Sequence, residues 1–215
     1  MKARFITIEG GEGAGKTTAL GFIENYLRKA GVPLIVTREP GGTFLGEQLR
    51  EILLDPKQNA ICREAELLMM FAARAQHLQH VIYPALEQGS WVLCDRFTDA
   101  SYAYQGAGRD MGAQRIAGLE SWLQGDFRPD CVFLLDIEPQ LGMQRVAQRG
   151  DKDRFELEEQ GFFQRVRQAY RERAQQFPER YRVIDAGQSL AQVQAQLSEQ
   201  LQQLVQSYQP TSLPK

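Results

Sequence analysis

The chain has 215 residues, 43% of them hydrophobic and 24% charged, which is enough apolar material for one substantial core and makes a single globular domain the expectation. A formal net charge of -2 excludes a protein held to nucleic acid by a broad basic surface, and no apolar run nears the roughly 18 residues that a membrane span requires. The N-terminus lacks the charged start, apolar stretch and small-residue cleavage site of a secretory signal, so cytoplasmic residence is expected.

Phe5 to Ile8 is a short β-rich apolar run and reads as a buried strand. Through Glu9 it enters Gly10-Gly11-Glu12-Gly13-Ala14-Gly15-Lys16-Thr17, which fits the G-x-x-x-x-G-K-[ST] phosphate loop, and a helix with Leu20, Ile23 and Leu27 on one face follows. The chemistry accounts for the spacing. Glycines let successive backbone N–H groups face one concavity, the helix N-terminus adds a favourable field, and Lys16 reaches the β and γ phosphates. Thr17 offers a hydroxyl to Mg²⁺.

Leu34 to Thr37 reads as a second strand, running into Arg38-Glu39-Pro40-Gly41-Gly42. A long helix comes next, with Leu68, Phe71, Ala72, Ala75, Leu78 and Ile82 at helical spacing. Arg74 interrupts a stripe that includes Leu67, Met70 and Leu78, and it shares a face with Phe71. Such an arginine is either ion-paired and snorkelling or reads a base that lies on the phenyl ring. Trp91 to Cys94, a third strand, ends in Asp95-Arg96, at the edge where doubly wound sheets bind ligands. There Asp95 would hold Mg²⁺, directly or through water, and Arg96 would clamp a phosphate, unless the pair is an ordinary capped turn. Gly106 and Gly108 mark a further sharp turn or close approach.

Cys131 to Leu135 and Tyr181 to Ile184 complete the strands, and helical patterns cover Pro139 to Arg149, Glu156 to Phe177 and Leu190 to Tyr208. Arg145, Arg149 and Arg154 surround Gly150, either as ordinary helix C-terminal charge or as a mobile lid over about 145–156 that closes arginines on a transferring phosphoryl group. The tail over 209–215 carries two prolines and no period, so fraying is expected over it. Strands alternating with helices argue for an α/β fold, a three-layer, doubly wound parallel sheet of about five strands. The three cysteines, Cys62, Cys94 and Cys131, are odd in number and far apart. They suit reduced thiols rather than a disulfide framework or a structural metal.

A phosphate loop alone fits switches, motors and small kinases. The guanine-reading N-K-x-D motif needs an asparagine, and neither Asn25 nor Asn59 fits it; the L-S-G-G-Q signature of transporter ATPases is also missing. A small kinase leads, with a kinase for another nucleotide or an ATP-dependent switch as the competing readings. Of the 25 cationic residues, 19 are arginine, the side chain whose planar fork suits phosphate.

Five segments in this order carry a resemblance: Gly10 to Thr18 with a glutamate inside the loop, Thr37 to Thr43, Phe71-Ala72-Ala73-Arg74, Asp95-Arg96-Phe97, and Ala103 to Arg109. Together they resemble thymidylate kinases of the bacterial type, which use ATP and Mg²⁺ to phosphorylate dTMP on a nucleoside monophosphate kinase fold. The resemblance implies ATP contacts from Gly10, Gly11, Glu12, Gly13, Ala14, Gly15, Lys16, Thr17 and Thr18, with Thr17 and Asp95 toward the metal. For dTMP it implies Glu12, Arg38, Arg50, Phe71, Arg74, Arg96, Ser101, Tyr104 and Gln105. Lys16, Asp95, Arg96, Arg149 and Arg154 become the catalytic set, because the loop lacks an arginine and lid arginines must supply that charge. Met70 stands where many relatives carry the stacking phenylalanine, so Met70 and Phe71 both remain candidates to cover the base. Asp185 to Gln188 would border the adenine, and a homodimer formed by helix packing is implied, with Leu68, Ala72 and Ala75 available either for it or for the sheet.

Overall fold

The computed structural model describes residues 3–58, 60–150 and 153–206. Five parallel strands, β1 (Phe5–Gly10), β2 (Leu34–Arg38), β3 (Trp91–Asp95), β4 (Cys131–Asp136) and β5 (Tyr181–Asp185), form one sheet in the order β2-β3-β1-β4-β5. All six residues of β1 are buried, as its central place in a sheet covered on both faces requires. Each strand begins where its apolar run begins and continues one or two residues beyond it, so Gly10, Arg38, Asp95, Asp136 and Asp185 line up along one edge. The register fixes their neighbours: Arg38 lies opposite Asp95, and Asp95 lies opposite Ile8.

The period of two in β1 sends its residues to different cores. Ile6 and Ile8 pack with Ile23 and Leu27 of α1 (Lys16–Lys29) and with Leu197 and Leu201 of α9 (Leu190–Gln206). Phe5 instead meets Leu78, Ile82, Val92 and Phe97 on the other face. Beside it, Val132 and Leu134 of β4 receive Phe162, Val166 and Tyr170 of α8 (Gln160–Gln176). Truncating a fully buried leucine such as Leu197 to alanine costs about 2–5 kcal/mol in sites of this kind.

Between β2 and β3 run α2 (Phe44–Leu54), whose N-cap Thr43 accepts a hydrogen bond from Gly46 N, then α3 (Arg63–His77), a π-helical turn (Leu78–Ile82) and α4 (Tyr83–Glu87). The long apolar helix is therefore present, but its buried column is Leu67, Phe71, Arg74 and Leu78, while Leu68 is 58% exposed and Ala72 is exposed too. Adjacent apolar columns at Leu67 and Leu68 leave the rotation of such a helix undetermined by periodicity alone.

After β3 come α5 (Thr98–Ser101), a π-helical stretch (Tyr102–Gly108) and α6 (Ala113–Gln124); α7 (Pro139–Arg149) follows β4. Of the sharp turn or close approach expected at the glycines at 106 and 108, no sharp turn is found, since both lie inside the π-helical stretch. Gly108 serves close approach, since a Cβ there would meet the Phe162 ring at 2.5 Å. Cys94 and Cys131 are buried free thiols and Cys62 is exposed. The tail over 209–215 lies outside the described residues.

Candidate active site

The phosphate loop joins β1 to α1, and its conformation explains its glycines. Gly13 (φ 68°) and Gly15 (φ 83°) are left-handed, a region that side chains other than glycine occupy only with strain. A Cβ on Gly13 would also strike the Gly142 carbonyl of α7, so α7 backs the loop. Gly15 is the N-cap of α1 and makes no side-chain capping bond, and the first turn carries no acid. The helix N–H groups are left for an anion. Lys16 lies across the loop, donating from Nζ to Gly11 O (2.8 Å) and Gly10 O (3.2 Å). Desolvation, then the nearby Arg96 charge, hold its pKa below the usual lysine value.

At the end of β3, Arg96 adopts φ 68° and donates its backbone N–H to Ile8 O (2.9 Å). That turn aims the guanidinium back over β1, where Nη1 reaches Gly10 O (3.1 Å) and Nη2 reaches Glu12 Oε1 (2.6 Å). The Tyr104 hydroxyl donates to the same Glu12 oxygen at 2.7 Å, and the guanidinium lies 4.6 Å from the Tyr104 ring centre. Burial opposes the Arg96 charge, but Tyr104, Glu12, Tyr170 and Asp95 hold its pKa well above the ordinary value. Beneath it, Glu9 is fully buried; Oε1 accepts from Phe97 N (2.7 Å) and Oε2 from the Tyr170 hydroxyl (2.9 Å). Burial first, and then the Asp99 carboxylate, push the Glu9 pKa up to about 8. Sequence reasoning missed Glu9, although a carboxylate closing an apolar strand was a visible signal.

These groups open on a cavity of about 540 Å³. Glu12, Gly13, Gly15, Lys16, Thr17, Asp95 and Arg96 line its loop side, and Arg50, Met70, Arg74, Ser101, Tyr104 and Gln105 line the other. Asp95 Oδ1 is buried without a hydrogen-bond partner, and Thr17 stands on the same wall. A carboxylate and a hydroxyl form the hard oxygen set that Mg²⁺ prefers when phosphates complete its shell. Arg145 also reaches the cavity, donating to Gly13 O (3.4 Å) and Ala186 O (3.0 Å). It thereby ties the loop to the segment after β5 expected beside the adenine.

Gly10, Gly11, Ala14 and Thr18 of the loop do not line the cavity. Of the described residues expected toward the acceptor or the transferring phosphate, three stand elsewhere. Phe71 does not line the cavity; it packs with Leu67, Met111 and Ile116, with the Arg74 guanidinium 4.6 Å from its ring centre. Met70, one helical step away, holds the cavity wall instead. Arg38 is turned to Glu47 (2.7 Å) at the exposed rim, while Arg50 is held on Pro40 O (3.1 Å). Arg154, expected on the transferring phosphate, is buried: Nε donates to Leu53 O (2.8 Å), Nη2 pairs with Glu66 (2.7 Å), and the guanidinium lies over Phe155. Only its neighbours Asp153, Phe155 and Glu156 line the cavity. The Arg149 side chain and residues 151–152, which complete the expected lid, lie outside the described residues.

The family model for thymidylate kinase matches residues 8–197. The thymidylate kinase of Ectopseudomonas mendocina (strain ymp) is 55% identical over 207 residues, covering 96% of this chain and 99% of that protein. The one from Teredinibacter turnerae is 54% identical over 202 residues, 94% and 98% of the two chains. Among solved structures, the thymidylate kinase of Ehrlichia chaffeensis superposes with a TM-score of 0.75 at 32% identity, over 94% of this chain and 99% of that one. A five-stranded parallel sheet, a phosphate loop in its structural context and similarity over nearly the whole length lead to one conclusion: the chain belongs to the thymidylate kinase family.

Proposed function

We propose that the chain transfers the γ-phosphate of ATP to dTMP, giving dTDP and ADP, and that it does so through the residues of the cavity described above. The observation that carries this reading is the shared cavity. One wall is a phosphate loop with bare helix N–H groups, and the other is a slot lined by Met70, Arg74, Ser101 and Gln105. Lys16 and the α1 N-terminus bind the ATP phosphates. Gly10, Gly11, Ala14 and Thr18 complete the loop's contribution. Arg96, released from Glu12 as substrate arrives, moves its charge to the phosphate between donor and acceptor. Glu12 and Tyr104 then face the acceptor sugar, and Arg50 and Arg38 guard the acceptor phosphate from the cavity and its rim. Arg74 retains one buried guanidinium nitrogen, Nη1, without a hydrogen-bond partner, a donor fitted to a base carbonyl.

A phosphate monoester is already anionic near neutral pH, so an oxygen of dTMP attacks in line without a strong general base. Positioning and charge stabilisation supply the rate. Thr17 and Asp95 would hold Mg²⁺, which when bound offsets the charge on the β and γ phosphates. Arg149, at the end of α7, is the lid arginine in this reading, since Arg154 is tied to Glu66. The glutamate inside the loop supports reading the chain as the bacterial type.

Phe44, Leu45, Ile52 and Leu68 leave large apolar side chains exposed on α2 and α3, which supports a homodimer through these helices. Among the described residues no helix is long and apolar enough to cross a membrane; cytoplasmic residence as one domain over 1–208 is part of the proposal. ADP release in a coupled assay with ATP and Mg²⁺ tests the reaction. The expected result is release that depends on added dTMP and falls at least about 100-fold in Lys16→Ala, by analogy with a lost charge-stabilising donor. Release independent of dTMP, or equal in the variant, would contradict it.

A further inference from the structure

Behind the base slot lies a buried chain of hydrogen bonds that none of the phosphoryl-transfer steps uses. Arg74 donates from Nε to Glu39 Oε2 (2.8 Å), and from Nη2 to Ser101 Oγ (3.0 Å) and Phe97 O (3.2 Å). The other Glu39 oxygen faces His77 Nδ1 at 2.9 Å, and His77 Nε2 lies 2.6 Å from Thr37 Oγ1. Arg74, Glu39 and His77 are each more than nine-tenths buried, at 2%, 4% and 0% exposure. The acceptors assign the protons: the carboxylate takes Nδ1–H, which leaves Nε2 to accept from the threonine hydroxyl.

The far end of this chain is the loop that carries Arg38. A Cβ on Gly42, which has φ +75°, would lie 2.6 Å from both His77 Nε2 and Thr37 Oγ1, so only glycine lets the loop close over that pair. The Gly42 N–H donates to Glu47 Oε1 (2.9 Å), and the second Glu47 oxygen holds Arg38 Nη2 (2.7 Å). The base slot and the phosphate rim are therefore two ends of one network.

We infer that His77 is a positioning residue for the acceptor: through Glu39 it fixes the guanidinium of Arg74 in the base slot, and through Thr37 it ties that arginine to the Arg38 loop. A guanidinium held by its other donors presents Nη1 alone, which suits a carbonyl and disfavours an amino group at the same place. Without His77, the Glu39 carboxylate keeps one partner fewer and swings with Arg74. The ATP side is expected to be spared, because Lys16 donates to Gly10 O and Gly11 O of its own loop and not to a member of this chain. The inference rests on dTMP as the acceptor.

Steady-state kinetics of His77→Ala, His77→Gln and Thr37→Val test it, with dTMP and dCMP as alternative acceptors. The expected result for His77→Ala is a KM for dTMP raised about 10-fold, a KM for ATP within about 2-fold of wild type, and a several-fold smaller preference for dTMP over dCMP. Side-chain hydrogen bonds of this size carry such factors. His77→Gln, whose amide still donates to Glu39, recovers most of the loss. Thr37→Val, a milder change that decides the matter should His77→Ala fail to fold, raises the KM for dTMP about threefold. Equal shifts in both KM values, or folded variants with unchanged dTMP preference, would overturn the inference while leaving the kinase reading intact. A wild type that does not phosphorylate dTMP would overturn both.

Discussion

Arg149 and Arg154 bracket the same glycine, and in this account the reaction falls to Arg149 because the Arg154 guanidinium is held elsewhere. The Arg154 guanidinium is occupied by Leu53 O and Glu66 and lies 4.5 Å from the Phe155 ring centre. Arg154→Ala therefore strips a buried carboxylate of a partner, and a loss of about 2 kcal/mol is expected, lowering Tm by roughly 4–8 °C for a chain of this size. Arg149→Ala is expected to leave Tm unchanged and lower kcat by about 100-fold. Thermal melts and initial rates on both variants check the division of roles; a kcat loss confined to Arg154→Ala would reverse it. The sequence shows two arginines beside a glycine in a charged stretch and cannot show that Glu66, on a distant helix, waits for one of them. The choice between Met70 and Phe71 stays open in the sequence for a similar reason. The spacing of Phe71 from Arg74 is legible, but the rotation that puts Met70 on the cavity wall depends on which column of α3 meets the rest of the core.

At the scale of elements, the site depends on how β1 and β3 end together. Arg96 sits at φ 68°, a conformation that costs about 1–3 kcal/mol outside glycine, and the neighbouring Phe97 N–H is held by Glu9 (2.7 Å). Glu9 thus fastens the β3 turn to β1, and its protonation matters to both. With its pKa raised from 4.5 to about 8, the folded state binds a proton that the unfolded state has released. That contribution to stability is complete below about pH 4.5 and is lost as pH rises through about 8. Glu9→Gln removes the titration. Between pH 5 and pH 8.5 the wild type should lose more Tm than the variant, by at least about 3 °C. Parallel Tm profiles for the two proteins would contradict the assignment. Strands were legible because each is a short apolar run ended by Gly, Arg or Asp, whereas the two π-helical turns leave no such signature. Neither does α2, whose exposed Phe44 and Leu45 blur any amphipathic pattern.

Over the whole molecule, the near-neutral charge conceals a directed arrangement. Arg50, Arg74, Arg96 and Arg145 reach one cavity from four separate segments, which is what a donor and an acceptor rich in phosphate require. The phosphate loop was readable residue by residue because its chemistry is local in sequence. The Glu39–His77 network was not, since it joins β2 to α3 through the fold, although His77 shares the face of Phe71 and Arg74 at helical spacing. The exposed apolar residues of α2 and α3 set a prediction at this scale: Leu68→Glu should convert a dimer to monomer by sedimentation velocity with the fold intact, and a wild type that sediments as a monomer would contradict the dimer. The central claim is acceptor identity. With γ-labelled ATP, Mg²⁺ and an equimolar mixture of dTMP, dUMP, dCMP, dGMP and AMP, the account predicts that the label appears first and mainly in dTDP. Label appearing chiefly in another diphosphate, or only as inorganic phosphate, would contradict it.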